Sequence, residues 1–294
     1  MQFNKHGSFY IRNGWPTKII DAINENARIF SPAFELNAVD AIGVGRVMIK
    51  AMRYWTIVLG ISIEEKDQQG VYSEFTPLGQ QIAAHDPYCA DYGTLWLLHR
   101  NLTREAETAT IWNWAFNKCS AKAFTKEEFV NDFCTYIHRC GEVHPKNSIE
   151  KEFDCFKNTY VSEKKFGILK IIDEDTVPFF APLNLLRHLG AGKFEKVKVE
   201  AKNVPLDILL YCIIADNEQH LADQAELDID MLLEDENQVG KYMNLSYSTL
   251  LELLQQLENR SELKLINNFG SRYIHLESTN ANEILERYYQ GIEG

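Results

Sequence analysis

The chain lacks any apolar run long enough to cross a bilayer. Its longest, residues 55–63, falls well short of the roughly 20 residues that a spanning helix requires. No secretory signal is evident either. Lys5, Arg12, Lys18, Asp21, Glu25 and Arg28 interrupt the start of the chain, where a signal needs about 7–15 unbroken apolar residues. Proline and glycine are sparse, at 8 and 16 of 294 residues, so a collagen-like or linker-like polymer is excluded. No fixed-period repeat points to a solenoid. The six cysteines (Cys89, Cys119, Cys134, Cys140, Cys155, Cys212) are scattered through mostly hydrophobic sequence, as buried thiols are in a reducing compartment, and form no disulfide framework. No phosphate-cradling Walker loop is present, because Gly43-Val44-Gly45 is not followed by Gly-Lys-Ser/Thr. A serine-nucleophile elbow is missing too. These absences predict a cytoplasmic protein with no membrane segment.

Hydrophobic residues make up 45% of the chain, enough to fill the cores of two or three modules of about 100 residues each. The net charge of −12 argues against a surface that attracts nucleic acid everywhere. Its distribution is uneven. Residues 1–60 hold seven Lys and Arg against four Asp and Glu, whereas residues 216–236 hold nine acids and no Lys or Arg. Such polarity allows phosphate binding at one end. The acidic stretch reads either as a solvated face or as a surface for a basic protein partner.

Apolar periodicity predicts a helix after Trp15-Pro16, carrying Ile19, Ile20, Ile23, Ala27 and Phe30 on one side. A short helix over 33–41, a Gly43-Val44-Gly45 turn and a strong helix over 46–59 follow. Two short β-like segments, 61–63 and 71–75, flank a polar loop, and Thr76-Pro77 opens another helix. Helix, helix, turn, helix, hairpin is the order of a winged helix-turn-helix. Residues 86–133 read as aromatic-rich helices, with Trp96, Trp112, Trp114 and Phe116 as core or interface residues and a capping box at Thr125 and Glu128. Further on, the pattern predicts a helix over 149–160, a strand at 168–172, a helix near 183–189 and a strand at 197–201. The last third predicts helices over 205–215 and 247–259, a hairpin of 263–266 and 272–276, and a final helix over 282–290.

The expected fold is therefore mainly α with small β-hairpin wings. It comprises an N-terminal winged helix-turn-helix domain (1–85), a helical middle domain (86–200) and a second winged-helix-like domain (201–294). The second module's helix 247–259 is acidic or neutral, which suits protein contact better than phosphate.

The second helix of a helix-turn-helix enters the major groove, so its polar face must reach bases and phosphates. In the 46–59 helix, Arg46, Lys50 and Arg53 fall at i, i+4 and i+7, on one face. Arg can grip guanine at two points, and Lys can position a phosphate. Tyr54 adjoins this stripe, and Lys66 and Tyr72 of the hairpin could touch the backbone as a wing would. The competing reading is that these cations merely solvate one side of an amphipathic helix. The helix order, the glycine turn and the hairpin favour duplex DNA as the partner.

Phe9, Arg12, Gly14, Trp15 and Lys18, then GVGRVMIKAMRYW, TPLG at 76–79, DPY at 86–88, TLWLLHRNL at 94–102 and TIWNW at 110–114, resemble a bacterial family first described as a domain of unknown function. It is the SspB-like family of the Ssp-type DNA phosphorothioation systems. The likeness covers the first 117 residues well, is fainter at Asp154, Cys155 and Tyr160, and loosens beyond about residue 165. The segment DEDTVPFFAPLNLL departs from the family pattern. The resemblance implies a DNA-binding and DNA-nicking component of a phosphorothioate modification system, in the setting of restriction-modification and antiphage defence. It also implies sulfur-transfer partners: a cysteine desulfurase, an ATPase and an ATP-pyrophosphatase-like protein. A non-catalytic DNA-binding adaptor and a winged-helix transcriptional regulator stay open as alternatives, as does a homodimer.

Metal-dependent nucleases gather carboxylates around divalent ions, Mg or Mn in a nickase of this kind. Asp154 followed by Glu163 and Lys165 fits that spacing loosely, and Glu200-Ala201-Lys202 is a second short match. Short spacings of this type also arise by chance on charged surfaces. Cys134, His138, Cys140 and His144 do not show the two tight pairs of a structural zinc site. His99, inside an apolar helix, reads as a hydrogen-bonded core residue. No cysteine sits in a persuasive reactive setting, so sulfur chemistry would belong to the partners.

Overall fold

The computed structural model describes residues 1–161, 177–268 and 271–292. Its backbone is mainly helical, with small antiparallel sheets. Two compact units are present: Met1–Trp114 with Ser120–Lys196, and Ala115–Cys119 with Val197–Gly294. Residues 1–85 and most of 86–200 fall in the first unit.

The first unit opens with α1 (Trp15–Glu25), α2 (Glu35–Ile42) and α3 (Arg46–Val58), followed by the hairpin β1 (Ser62–Asp67) and β2 (Gly70–Phe75). Pro16 sits in the first turn of α1, where a missing N–H costs nothing, and Ile19, Ile20 and Ile23 are buried. Gly43 ends α2 in the left-handed region at φ 72°, which turns the chain into α3. The hairpin pairs Ser62 with Phe75 through to Asp67 with Gly70.

Next come α4 (Pro77–His85), α5 (Tyr92–Arg104) and α6 (Thr110–Asn117). Thr76 caps α4 by accepting from Gly79 N at 2.9 Å, and Asp91 caps α5. Asp86 of the DPY segment is buried, and its two oxygens accept from Ala90 N and Asp91 N, each at 3.0 Å. The tryptophans at 96, 112 and 114 and Phe116 are buried, as their apolar setting predicts. Trp55 and Trp112 meet edge to face at 5.5 Å, and Trp55 Nε1 donates to Phe9 O at 2.9 Å, whereas the buried Trp112 Nε1 meets no acceptor among the described residues.

The middle of the chain is not purely helical. β3 (Ala123–Thr125) runs directly into α7 (Lys126–Arg139), and α8 (Lys146–Tyr160) and the hairpin β4 (Leu186–Gly190) and β5 (Lys193–Lys196) follow. These strands form one sheet in the order β3-β5-β4. The expected helix near 183–189 is instead a short 3-10 turn, Ala181–Leu183, leading into β4. Asn184 at φ 49° stops any helix there, and Leu186 then points inward from a strand. No strand forms at 197–201, where one is expected: β5 lies before it and ends at Lys196, and the chain then turns into the 3-10 segment Ala201–Asn203. The strand expected at 168–172 lies outside the described residues.

The second unit repeats this plan. α9 (Leu206–Asp216) and α10 (Glu218–Leu221) precede β6 (Glu226–Asp228), which runs into α11 (Ile229–Glu234). Then come α12 (Val239–Tyr242), α13 (Tyr247–Asn259), β7 (Leu263–Asn268), β8 (Ser271–Leu276) and α14 (Ala281–Ile292). The sheet order is β6-β8-β7, with the last strand in the centre, as in β3-β5-β4. Both plans place a helix cap at the strand's end: Thr125 with Glu128 for α7, and Asp228 for α11. Leu250, Leu253, Leu254 and Leu257 of α13 are buried, as are Ile274 and Leu276 of β8. The acidic stretch is thus α10, β6 and α11, with Leu227, Ile229 and Leu232 turned inward between the exposed acids.

Candidate nucleic-acid interface

One side of α3 supplies core and the other supplies charge. Ile49, Met52, Tyr54, Trp55 and Val58 are buried, which leaves Arg46, Lys50, Arg53 and Ile57 along the outer edge at helical spacing. Arg46 and Lys50 are well exposed, at 59% and 64%, and Arg53 less so, at 32%.

Each cation is met by a carboxylate. Glu35, at the start of α2, stands between two of them: its Oε1 is 3.0 Å from Arg46 Nε and its Oε2 is 3.7 Å from Lys50 Nζ. Glu64 of β1 accepts from Arg53 Nη2 at 2.7 Å and also from Arg53 Nε. That contact raises the Arg53 pKa further above its ordinary value. Arg53 is therefore a strut between α3 and β1, while Arg46 and Lys50 are exposed cations restrained by a single carboxylate.

Tyr54 does not share this edge. Its ring is buried, its hydroxyl donates to Thr108 O at 2.9 Å, and burial pushes its pKa well up. Lys66 is exposed on β1 opposite Val71. Tyr72 is half-buried on β2, with the Arg28 guanidinium 5.4 Å from its ring centre. The sequence reading overlooked Arg28. Its Nη1 donates to Gly70 O at 3.2 Å and its Nη2 to Asp67 at 2.5 Å, so it fastens the hairpin tip to the end of the first helical segment. A lone arginine after an amphipathic helix carries no local signal of such a role. Also unforeseen is a cleft of about 650 Å³ along the α3 edge, with Lys5, Glu35, Lys50, Arg53 and Glu64 on its rim.

The carboxylate candidates are less converged. Asp154, on α8, is half-exposed, and its two oxygens lie 2.7 and 2.8 Å from Lys126 Nζ. Glu163 and Lys165 lie outside the described residues. Glu200 pairs with its neighbour Lys202 at 2.6 Å on the surface. His144 Nε2 lies 3.0 Å from Glu142, and its ring packs edge-on against Phe3. Among the described residues, no group of three or more His, Cys, Asp and Glu side chains is placed to hold a metal ion. His99 is a core residue as expected: it is buried, with Nδ1 3.1 Å from the Tyr160 hydroxyl and its ring against Trp96 and Phe180.

The profile of a family described as a protein of unknown function, DUF4007, matches residues 3–289. Two crystal structures resemble the chain along its whole length. A magnesium ion-bound SspB superposes with a TM-score of 0.83 at 22% identity, covering 100% of this chain and 89% of that one. A second SspB structure gives 0.82 at 21% identity, with the same coverage. No curated protein matches. No described helix is long and apolar enough to cross a membrane.

Proposed function

The chain belongs to the DUF4007 family, and from that premise we propose that it is the DNA-binding and DNA-nicking component of a phosphorothioate DNA modification and defence system. The observation that carries DNA binding is the outer edge of α3, where Arg46 and Lys50 stand exposed beside the β1–β2 hairpin with its exposed Lys66. In this reading α2, α3 and the hairpin act as a winged helix-turn-helix. Arg46 and Lys50 reach phosphates or base edges, and Lys66 and Tyr72 touch the backbone from the wing. Arg53 holds the wing to the helix.

The SspB fold supports the choice of system. Sulfur insertion would then fall to a cysteine desulfurase, an ATPase and an ATP-pyrophosphatase-like partner. This assignment agrees with two of the six thiols, since burial pushes Cys89 and Cys155 well above the ordinary thiol range and so away from the reactive thiolate.

One of the SspB structures binds magnesium, and a nickase of this class would use Mg or Mn to activate water. The described residues do not by themselves make such a site, because Asp154 is engaged by Lys126 and no second carboxylate converges on it. Asp154 with Glu163 and Lys165 remains the catalytic proposal. The second reading is a DNA-binding adaptor that recruits the sulfur-transfer partners without cutting, and the occupied Asp154 favours it.

Conversion of supercoiled plasmid to open circle, with and without magnesium or manganese, tests the proposal. The same titration on an Arg46/Lys50/Arg53 triple alanine variant is read beside duplex binding at two salt concentrations. Metal-dependent nicking lost together with binding in the variant is the expected result. Salt-sensitive binding without nicking selects the adaptor, and absence of duplex binding overturns the reading.

A further inference from the structure

The cleft beside α3 has the size of a small-molecule site, its volume of about 650 Å³ lying within the roughly 300–1,000 Å³ typical of such pockets. Its floor is apolar and aromatic, built from Phe30, Pro32, Tyr54 and Ile57. Ile57 is 40% exposed there, a large aliphatic side chain left open inside a charged rim. An apolar floor ringed by a few polar groups is the usual make-up of a small-molecule pocket.

The rim favours an anion. Glu64 is committed to Arg53, and Glu35 to Arg46 and Lys50. Lys5 also lines the cleft and is exposed, and no ion pair is formed by it among the described residues. Three cations (Lys5, Lys50, Arg53) thus line the cleft with two carboxylates (Glu35, Glu64), an excess of one positive charge around an apolar floor. Gln2 and Ser31 also line the cleft and offer an amide and a hydroxyl to a ligand with a polar edge.

A flat apolar ring with a polar edge and an attached anion is the description of a nucleotide. We infer that this cleft receives one unstacked nucleotide, its base against the Phe30–Ile57 floor and its phosphate drawn to Lys5 and Lys50. The inference rests on the duplex-binding reading, because Lys50 and Arg53 belong both to the α3 edge and to the cleft. A base extruded from DNA held on α3 would meet apolar surface and positive charge together, which offsets the cost of unstacking. A helical peptide would instead need a longer groove with anchors at successive turns.

The test is calorimetric titration of the full chain with deoxyadenosine and deoxyguanosine 5′-monophosphates, the corresponding nucleosides, inorganic phosphate and an acidic peptide. Saturable binding of a monophosphate is expected, about tenfold or more tighter than the nucleoside or phosphate alone. Ile57→Trp, which fills the cleft, and Lys5→Ala, at an exposed site, should each weaken it about tenfold while leaving the thermal midpoint in place. In a second arm, 2-aminopurine placed in a duplex should brighten on binding to wild type and stay quenched on Ile57→Trp, with duplex affinity largely kept. Absence of saturable monophosphate binding, indifference to both variants, or preference for the acidic peptide overturns the inference. Monophosphate binding without duplex binding would refute the duplex reading and leave the cleft assignment standing.

Discussion

The Arg53 guanidinium and the Glu64 carboxylate meet at two points, Nη2 with Oε2 at 2.7 Å and Nε with Oε1, and so join α3 to β1. Neither side chain is deeply buried, at 32% and 26% exposure, so the pair belongs with the surface bridges worth about 0.2–1 kcal/mol, at the upper end because it is forked. Glu64→Gln and Arg53→Lys should each lower the denaturation free energy by up to about 1 kcal/mol, since lysine cannot make the fork. Arg53→Ala should flatten the salt dependence of duplex binding less than Arg46→Ala or Lys50→Ala does. An equal or larger effect at Arg53 would make it a direct phosphate contact.

Glu35 is placed where a phosphate would lie, one oxygen toward Arg46 and the other toward Lys50. Any DNA phosphate reaching these cations competes with it. Glu35→Gln should therefore tighten duplex binding and steepen its salt dependence, by up to about 0.9 in log–log slope for each phosphate newly neutralised. Fluorescence anisotropy across a salt series reads both. Weaker binding would show instead that Glu35 holds the two cations in a productive position.

Gly79 shows how closely α4 approaches Ile61, the residue before β1. A Cβ there would stand 1.9 Å from the Ile61 carbonyl oxygen, and that oxygen belongs to backbone already bonded to Thr76 N at 3.1 Å. Nothing flexible can give way. Gly79→Ala should cost at least about 3 kcal/mol, the upper end for overpacking, and remove duplex binding through loss of the fold. Gly45→Ala is the control: its Cβ meets nothing within 4 Å and its φ is −65°, so chemical denaturation should show little change.

Asp67 supplies a pH signature. The Arg28 guanidinium, helped by the Gln69 and Gly70 backbone N–H groups, holds its carboxyl below the ordinary value of 3.8. The folded state therefore favours the ionised form. The stabilisation is present above the ordinary carboxylate value and is lost as pH falls through the lowered folded value. Asp67→Asn should show a reduced urea midpoint at pH 7 and pH 5, and the gap to wild type should shrink below about pH 4. A gap that changes between pH 7 and pH 5 would assign it to another group.

Much of this architecture is written locally. The helix expected over 46–59 is Arg46–Val58 and the Thr125–Glu128 box stands where capping chemistry puts it, while the hairpin forms in place but with β1 running on to Asp67, through residues that read as its polar loop. Helix 247–259 matches Tyr247–Asn259 for the same reason, an unbroken leucine face. β3 and β6 were not legible, because each is a three-residue strand whose partner, β5 or β8, lies far along the chain. Phe124 packs against nearby Phe129 but also against Phe153 and Phe194, distant residues that no local window contains. At the site, i, i+4, i+7 spacing placed Arg46, Lys50 and Arg53 on one edge. Tyr54, one residue past Arg53, is turned by about 100° and falls inside. The carboxylates that restrain the cations come from α2 and β1, and only the folded chain brings them together.

Asp154 is where the catalytic proposal can be decided. Its two oxygens, 2.7 and 2.8 Å from Lys126 Nζ, are in use as an ion pair on the surface of α8. A carboxylate that binds a divalent ion must release such a partner, and the lysine then competes with the metal. Lys126→Ala should accordingly lower the magnesium concentration needed for half-maximal nicking, and Asp154→Asn should raise it or abolish nicking with duplex binding intact. Glu163→Gln and Lys165→Ala, assayed alongside, should lose at least about 100-fold in nicking rate if they share the chemistry, corresponding to about 2.7 kcal/mol of transition-state stabilisation. Wild-type nicking by Asp154→Asn would sink this assignment, because an isosteric amide cannot supply the negative charge that a metal ligand there must provide. The Lys126–Asp154 pair would then be only a tie between α7 and α8, and its removal should register in stability alone.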